Sequence, residues 1–475
     1  MTKASKASKV APHLGGRRLD RLTSLDASYL RVEDHGLPMH VAALAVVEGA
    51  PLRDATGGLQ VERIRERLES RTRLAPRLRQ VLRPAPFAAG RPAWVDDPAF
   101  DIRHHVRVRE LGDGADEATM LGVCADLNGQ PLDRALPLWE LWLLTGRADG
   151  NVALLIRLHH VVADGMAALD ILGALFDQPS GGPMPTAAGP SPRPAPTVRE
   201  LYADHLRRQC AAVTRATCQL RRPGELAHRL VAGLGQLRRL AGEGRVASSS
   251  LNQPVGPRRR LMLVRADLAG TRAVAHANGA KVNDVVLAAV AGGARRLLES
   301  RGELAPDLVV KISVAASLRG AGDGEAGGNQ VGILLVPVPV GESDAVLRLR
   351  HIAAVTGPQK RTPPYQPGGP LAQRWMVRTM FRQRMVNLLL SNLPGPPRPV
   401  VFVGATVLEM FQVGLVQGNI ALTVGVLSYA GQLNFDIVAD TDAIPDLQVF
   451  TQGLSATLEE LQATSAPPPG IWKPR

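Results

Sequence analysis

The segment from Gln178 to Thr197 is crowded with proline, glycine, alanine and serine and holds almost no bulky apolar side chain. Such a segment has little apolar surface to bury, and its prolines and glycines interrupt helices and strands, so it predicts a linker. The 475-residue chain is long enough for two or three ordinary domains. We therefore predict an N-terminal domain over residues 1–177, a linker over 178–198, a basic helical segment over 199–250 and a C-terminal domain over 251–475.

Helix-like and strand-like patterns occur together on both sides of this linker. The helix-like segments include Val61 to Arg79 and Asn283 to Ser300. The strand-like or apolar segments are His105 to Leu111, Val152 to Leu158, Leu261 to Val264, Leu308 to Val314 and several stretches beyond Val400. Each half therefore predicts an α/β domain.

Residues Glu200 to Arg245 combine many arginines with leucines at helical spacing, and Pro223 with Gly224 interrupts the pattern. This predicts two basic amphipathic helices. They fit either a solvated face packed on its own protein or a peripheral contact with a membrane or lipid droplet, and the sequence does not choose between the two.

The formal net charge of +13 raises the question of a nucleic-acid partner, because Lys and Arg neutralise phosphates. Only seven of the 56 basic residues are lysine, and Arg, Ala, Gly and Pro recur along the whole chain, which indicates codon bias rather than a binding patch. No zinc-finger, RRM or KH signature accompanies the charge. We predict no nucleic-acid partner.

The three cysteines are too few for a disulfide framework and lack the spacing of metal ligands. The N-terminal lysines are not followed by an apolar stretch, so the pattern of a secretory signal is missing. No apolar run is long enough to predict a transmembrane helix. We expect a cytoplasmic protein, and peripheral attachment to the inner membrane or to lipid droplets stays open.

The sharpest local feature is the segment from Leu158 to Gly165, in which His159 and His160 are adjacent and Asp164 follows. It comes directly after an apolar strand and directly before a helix-like segment, and Asp164 suits the N-cap of that helix. Both histidines are therefore expected on a tight turn at a strand end. A neutral imidazole there can take a hydroxyl proton, so one histidine is predicted to be a general base while the other supports it.

A second histidine pair, His104 and His105, has no Asp-Gly downstream and is predicted to be structural. Metal binding is not expected at His159 and His160. Adjacent residues of an extended chain point to opposite sides, and no second cluster of His, Cys or Glu has ligand spacing.

The arrangement of His159, His160, Asp164 and Gly165 resembles the HHxxxDG motif of the CoA-dependent acyltransferase superfamily. Further segments resemble the bacterial wax ester synthase/diacylglycerol acyltransferase family and span nearly the whole chain: Leu25-Asp26, Met39-His40, Pro137 to Glu140, Val282 to Leu287, Gly328 to Val331, Ser391 to Pro396, Asp440 and Pro445-Asp446. One departure is Ala315 to Arg319, which keeps the serine and arginine of the family's Pro-Val-Ser-x-Arg strand end and lacks its proline.

The resemblance implies two chloramphenicol-acetyltransferase-like α/β domains joined by the Pro-rich linker, with the active site in a tunnel between them. It implies acyl-CoA as the acyl donor and diacylglycerol or a long-chain fatty alcohol as the acceptor. No cofactor is expected, since acyl-CoA is itself a substrate.

By the same resemblance, His160 takes the proton of the acceptor hydroxyl as this attacks the thioester, and returns it to the departing thiolate. His159 is either a supporting or a catalytic residue. Asp164 is expected to orient the loop, and Gly165 to leave room for substrate beside the base.

Asn283, Asp284 and Asn392 complete the predicted site as substrate-binding residues. A helix start offers another explanation for two of them, with Asn283 as its cap and Asp284 near its positive end. Asn392 lies in a Ser-Asn-Leu-Pro-Gly segment that predicts a turn, from which it could donate to a tetrahedral oxyanion. Trp139 is expected to pack in the core.

Two other functions stay open from the sequence. One is the same chemistry with a sugar, a polyketide or an amine as the acceptor. The other is a non-catalytic lipid-surface protein that keeps the fold without turnover.

Overall fold

The computed structural model describes residues 19–86, 89–163, 165–177, 193–220, 244–246, 249–317, 331–359 and 377–465, and the single positions 224, 231, 235 and 242. Asp164, most of the predicted linker, most of the second basic helix and the segments 318–319 and 328–330 lie outside the described residues.

Helices and strands alternate along the described chain, as predicted for an α/β protein. The helices are α1 (Ser24–Glu33), α2 (Val61–Thr72), α3 (Glu117–Asn128), α4 (Gly165–Leu175), α5 (Val198–Leu220), α6 (Leu268–Ala277), α7 (Val282–Ser300), α8 (Ala345–Gln359) and α9 (Leu447–Ser465). The strands are β1 (His40–Val47), β2 (Gln80–Arg83), β3 (Ala93–Asp96), β4 (Val106–Ala115), β5 (Trp139–Arg147), β6 (Val152–His159), β7 (Arg259–Asp267), β8 (Val309–Ser317), β9 (Val331–Pro339), β10 (Leu388–Pro394), β11 (Val401–Phe402), β12 (Ala405–Val413), β13 (Leu422–Tyr429) and β14 (Gln432–Asp440).

Two six-stranded sheets organise the molecule. The first has the order β11-β12-β1-β6-β5-β4, and β4 and β5 are its parallel pair. The second has the order β7-β14-β13-β10-β8-β9, in which β10 runs parallel to both β13 and β8. The hairpin of β2 and β3 stands apart from both sheets. The prediction of an α/β protein with two sheet-containing domains is confirmed.

One segment of the C-terminal half completes the first sheet. Strand β12 pairs with β1 in antiparallel register, with Ala42 opposite Val413 and Leu44 opposite Phe411. Strand β11 continues the sheet outward through a two-residue hairpin. The bounds predicted for the domains stay a prediction, but residues 401–413 belong structurally with the strands of the first half.

Apolar cores lie on both faces of the first sheet and on the helix-covered face of the second. One lies between the first sheet and helices α2 and α4, and another lies between the second sheet and helices α7 and α9. A further core joins the opposite face of the first sheet to α3, β7 and β14. At its edge Arg265 of β7 pairs at 2.5 Å with both Glu117 of α3 and Glu409 of β12. The two sheets are therefore held together by apolar packing and by a three-residue ion cluster.

The predicted helix from Val61 to Arg79 is shorter in the structure. Helix α2 ends at Thr72, and residues Pro76–Arg79 form a separate 3₁₀ turn. Proline lacks a backbone N–H and restricts the residue before it to extended conformations, so a continuous helix could not pass through Pro76.

The first of the two predicted basic helices is α5, and its N-terminal half is anchored. Asp204 is buried, and its carboxylate pairs with Arg21 at 2.6 Å and with Arg208 at 3.0 Å. Beyond this point Leu206 and Val213 are each 61% exposed. The helix therefore leaves the body of the protein with apolar side chains facing outward.

Candidate active site

The two histidines of the motif lie at the end of β6. His159 is the last residue of the strand, and its carbonyl accepts a hydrogen bond from the Val162 N–H at 2.8 Å, so the chain turns immediately. The His160 N–H donates to the Met39 carbonyl at 2.7 Å, which ties the turn to the start of β1. Helix α4 begins at Gly165. The predicted succession of strand, turn and helix is confirmed.

His159 is completely buried, and both of its ring nitrogens face defined neighbours. Its Nδ1 accepts the Val161 N–H at 3.1 Å. In the neutral ring the proton must therefore sit on Nε2, which lies 3.4 Å from a carboxylate oxygen of Glu33. This geometry supports the predicted role of His159 as a supporting residue, and a catalytic role for it stays a prediction.

Glu33 is the residue that sequence reasoning missed at this site. It ends α1, and its second carboxylate oxygen lies 3.5 Å from Nε2 of His40. Burial opposes its ionisation, but the nearby rings of His159 and His40 and the Arg134 guanidinium outweigh this and hold the pKa of Glu33 well below its usual range. The buried carboxylate is therefore charged and lies within 3.5 Å of two imidazoles.

His40 stands directly opposite His159 in the pairing of β1 with β6. It is 1% exposed, and burial, the largest cause, lowers its pKa to about 4. It is therefore neutral at physiological pH. The sequence carried a signal for it, since Met39-His40 is one of the family-like segments, but the pairing across two strands that are distant in sequence was not readable.

His160 differs from His159 in its surroundings. It is half-buried rather than fully buried, and its ring stacks on Tyr29 with 4.3 Å between the ring centroids and 28° between the planes. Tyr29 belongs to α1, which also carries Glu33. Of the two adjacent histidines, His160 is the one that is partly exposed.

The second histidine pair behaves as predicted for a structural pair. His105 is 1% exposed, its Nδ1 lies 2.8 Å from the Trp139 carbonyl oxygen, and its ring stacks between those of Phe100 and Trp139. His104 is exposed beside it. Neither ring lies on a turn like that of His160.

Asn283 and Asn392 lie together. The Nδ2 group of Asn392 donates to Oδ1 of Asn283 at 3.1 Å. The predicted turn at Asn392 is wrong, because β10 continues through it to Pro394 and pairs it with Val426 of β13. Its neighbour Ser391 projects to the opposite face of β10, toward Gln412 of the first sheet. The asparagine pair therefore lies on the helix-facing side of the second sheet.

The predicted cap at Asn283 is also wrong, because α7 begins at Val282 and its N-cap is Lys281, two residues before Asn283. Asp284 occupies the third helical position, where it accepts the Lys281 N–H at 2.9 Å. It also accepts the Thr356 hydroxyl of α8 at 2.7 Å. Asp284 is buried and ties two helices together, so its contacts are those of a structural residue. Its predicted part in substrate binding stays a prediction.

Gln412 joins the two sheets near this point. It belongs to β12 of the first sheet, and its side-chain amide donates to the carbonyls of Ser391 in β10 and of Val426 in β13, the latter at 2.9 Å. A Cβ on Gly425 would lie 2.8 Å from Cγ of Gln412, so only glycine fits there without movement. Sequence patterns gave no indication of this bridge.

Within the described residues, no group of three or more His, Cys, Asp or Glu side chains is placed to hold a metal ion.

Comparison with known proteins identifies the family. The model described as the wax ester synthase/diacylglycerol acyltransferase catalytic domain matches residues 22–286, and the C-terminal domain model of the same family matches residues 327–462. The chain belongs to this family. It is 32% identical over 462 residues to a Mycobacterium tuberculosis protein with the name "probable diacylglycerol O-acyltransferase tgs1", covering 94% of this chain and 96% of that one. It is accordingly an acyltransferase.

Two solved structures share the fold of this acyltransferase. The wax ester synthase/diacylglycerol acyltransferase from Marinobacter aquaeolei is 23% identical with a TM-score of 0.67, covering 94% of this chain and 99% of that one. The starter condensation domain of rhizomide synthetase in complex with C8-CoA is 16% identical with a TM-score of 0.59, covering 94% and 95%. The prediction of two domains with this superfamily's fold is confirmed.

The Trp139 and Glu140 segment serves packing in this acyltransferase, as expected. Trp139 is 1% exposed, and its indole N–H donates to the Leu78 carbonyl at 2.8 Å. Glu140 pairs with Arg157, which is 2% exposed and lies two residues before His159 on the same face of β6. A buried ion pair thus supports the strand that ends at the histidines.

No helix in the described ranges of this acyltransferase has both the length and the apolar character to cross a lipid bilayer.

Proposed function

We propose that this acyltransferase moves a fatty acyl group from acyl-CoA to the hydroxyl of diacylglycerol or of a long-chain alcohol, with His160 as the general base. The observation that carries the proposal is the contrast between the two adjacent histidines. His159 is fully buried, with Nδ1 accepting an N–H and Nε2 lying 3.4 Å from Glu33, whereas His160 is partly exposed on a turn fixed by a backbone hydrogen bond and a ring stack.

The proposed reaction is a direct transfer. His160 takes the proton of the acceptor hydroxyl while the oxygen attacks the thioester carbonyl. The new carbon–oxygen bond forms, the carbon–sulfur bond breaks, and the proton passes from His160 to the departing CoA thiolate. No acyl-enzyme is required, since acceptor and donor are bound together.

The remaining predicted site residues have supporting parts in this proposal. We assign the orientation of the turn to Asp164, which lies outside the described residues, and room for substrate to Gly165 at the start of α4. Asn283 and Asn392 contribute substrate binding as one hydrogen-bonded unit, and Asp284 holds the helix start on which Asn283 lies.

The test is release of CoA thiol from palmitoyl-CoA by the purified full-length protein, with hexadecanol or a diacylglycerol as the acceptor. We expect ester product that disappears in His160→Ala. His104→Ala is the matched control, because His104 also belongs to an adjacent histidine pair but is exposed and lies on a different element, the 3₁₀ turn Ile102–His104. Its turnover should match that of the wild type.

Either of two results would overturn the proposal. Ester formation by His160→Ala at the wild-type rate would rule out His160 as the general base. Absence of thiol release with both lipid alcohols, in a protein that still binds lipid, would favour the non-catalytic lipid-surface function instead. The acceptor that gives the higher kcat/KM decides between triacylglycerol and wax ester synthesis.

We further propose that α5 contacts an anionic lipid surface. Its N-terminal half is anchored by Asp204, whereas Leu206 and Val213 project outward beside the arginines of the helix. Apolar side chains that enter the headgroup region and arginines that attract anionic lipids bind such a surface together. Flotation with phosphatidylglycerol vesicles should fall for the double variant Leu206→Glu, Val213→Glu. Unchanged flotation, or equal binding to neutral vesicles, would contradict this contact.

A further inference from the structure

Helix α1 contacts both histidines of the motif from residues one turn apart. Tyr29 stacks on the ring of His160, and Glu33 lies 3.4 Å from Nε2 of His159. Side chains four residues apart on a helix share a face, so one rigid element sets the surroundings of both rings. The capping box of Thr23 and Asp26 fixes where this helix begins.

Glu33 is charged and nearly excluded from water. Its side chain is 5% exposed, and its oxygens lie 2.7 Å from Arg134 and 3.5 Å from His40. Leaving such a carboxylate in the interior is unfavourable unless its partners compensate. The charged and titratable groups around it are Arg134, His40 and His159, and the charge of Arg157 also acts on His40.

The ring of His159 connects this carboxylate to the turn. Nε2 faces Glu33, and Nδ1 accepts the N–H of Val161, the residue that follows His160. A neutral imidazole can accept at Nδ1 only while its proton is on Nε2. An anionic carboxylate 3.4 Å from Nε2 favours that tautomer, so the charge of Glu33 favours the form of His159 that can accept the hydrogen bond from Val161.

We propose that Glu33 is a positioning residue for the general base, which acts through His159. It holds His159 as the Nε2–H tautomer, and His159 in turn fixes the backbone on the C-terminal side of His160. Tyr29 restrains the His160 ring from the same helix. This inference rests on the proposed acyl transfer at His160.

The main variant is Glu33→Gln, which preserves shape and removes the charge. The amide offers both a donor and an acceptor to Nε2, so His159 should populate both tautomers and the hydrogen bond to Val161 should weaken. We expect kcat to fall by about tenfold or more while KM for acyl-CoA changes by less than about twofold.

Asp204→Asn is the matched control, because Asp204 is also a nearly buried carboxylate between two arginines but belongs to α5. It should lower the unfolding temperature without the loss in kcat. Equal losses of kcat in both variants, or unchanged kcat in Glu33→Gln, would overturn the positioning role.

A spectroscopic readout separates this role from mere stabilisation. In protein labelled with nitrogen-15 histidine, the ring nitrogens of His159 are assigned by their absence in His159→Gln. The wild type should show one tautomer with the proton on Nε2, and Glu33→Gln a mixture. An unchanged tautomer in a folded Glu33→Gln protein would overturn the proposal whatever its activity.

If Glu33→Gln does not fold, Glu33→Asp keeps the charge and withdraws it by one methylene, and the expected result is an intermediate kcat with a partial loss of the Nε2–H tautomer. A wild-type kcat or an unchanged tautomer in Glu33→Asp would contradict the positioning role of Glu33. If the wild type turns over no acyl-CoA, the proposed function fails, and the tautomer readout still decides whether Glu33 controls His159.

Discussion

Asn392 of β10 and Asn283 of α7 share one hydrogen bond of 3.1 Å between their side-chain amides. A strand of the second sheet is thereby tied to the first turn of a helix that packs against it. Because a hydrogen bond contributes about 1 kcal/mol, we expect Asn283→Ala and Asn392→Ala each to lower stability by roughly that amount.

The double variant should cost less than the sum of the two single variants, since both remove the same contact. Urea denaturation of the four proteins gives the coupling free energy, and kcat/KM for acyl-CoA in the same set shows whether the pair also binds substrate. Strict additivity in both measurements would mean that the two residues act independently.

Gly292 of α7 lies against α9 with no room for a side chain. A Cβ there would be 1.9 Å from Oγ1 and 2.8 Å from Cβ of Thr457. Gly292→Ala should therefore destabilise the fold by roughly 1–3 kcal/mol through overpacking. The control is Gly173→Ala in α4, where nothing lies within 4 Å. That change should stabilise by roughly 0.5–1 kcal/mol, because alanine is the better helix former. Thermal unfolding that moves both variants in the same direction would contradict this account.

The turn between β13 and β14 carries a residue in a strained conformation. Ala430 and Gly431 have φ values of 47° and 88°, which is the two-residue hairpin geometry that favours Asn-Gly. Ala430→Asn should raise stability by about 1 kcal/mol. Val403 with Gly404 forms the same kind of turn between β11 and β12, but Val403 is 5% exposed.

Val403→Asn should gain less than Ala430→Asn or lose stability, because it relieves the same strain but buries an amide in an apolar core. The melting temperatures of the two variants test this difference. A larger gain at Val403 would show that backbone strain outweighs burial there.

The buried His40 predicts a specific acid sensitivity. Its pKa is about 4 in the folded protein and about 6.5 when unfolded, so below pH 6.5 the unfolded chain binds a proton that the folded ring does not. The contribution of His40 to the free energy of unfolding is fully present above about pH 6.5. The free energy of unfolding should fall by up to about 3 kcal/mol as the pH drops toward 4. His40→Gln should flatten this slope in denaturation curves measured between pH 4.5 and 7. Parallel curves for the two proteins would mean that His40 contributes nothing to it.

The part of the site carried by one continuous segment was predictable. An apolar run followed by His159, His160 and Asp-Gly specifies a strand, a turn and a helix from local preferences alone, and the structure has β6 and α4 around that turn. Which of the two histidines is buried could not be decided locally, because burial depends on what packs against the strand from elsewhere.

Residues that act through pairing across the fold were not predictable. Glu33 ends a helix whose own sequence gives no reason to expect a histidine near it, and His40 reaches His159 only through the register of β1 with β6. Asn392 was placed in a turn because Asn, Pro and Gly favour turns. It lies in a strand because β10 pairs with β13 as far as Pro394. Pro394 is the last residue of β10, so its missing N–H does not interrupt the pairing.

The pairing of β12 with β1 also affects how the first sheet folds during translation. When β1, β4, β5 and β6 of a nascent chain have emerged from the ribosome, β1 can pair on one edge only, with β6. The other edge, from Val41 to Val47, is apolar and open to pairing with another chain until residues 405–413 emerge. The first sheet can thus be completed only late in translation, so prematurely terminated products should depend on chaperones and aggregate without them.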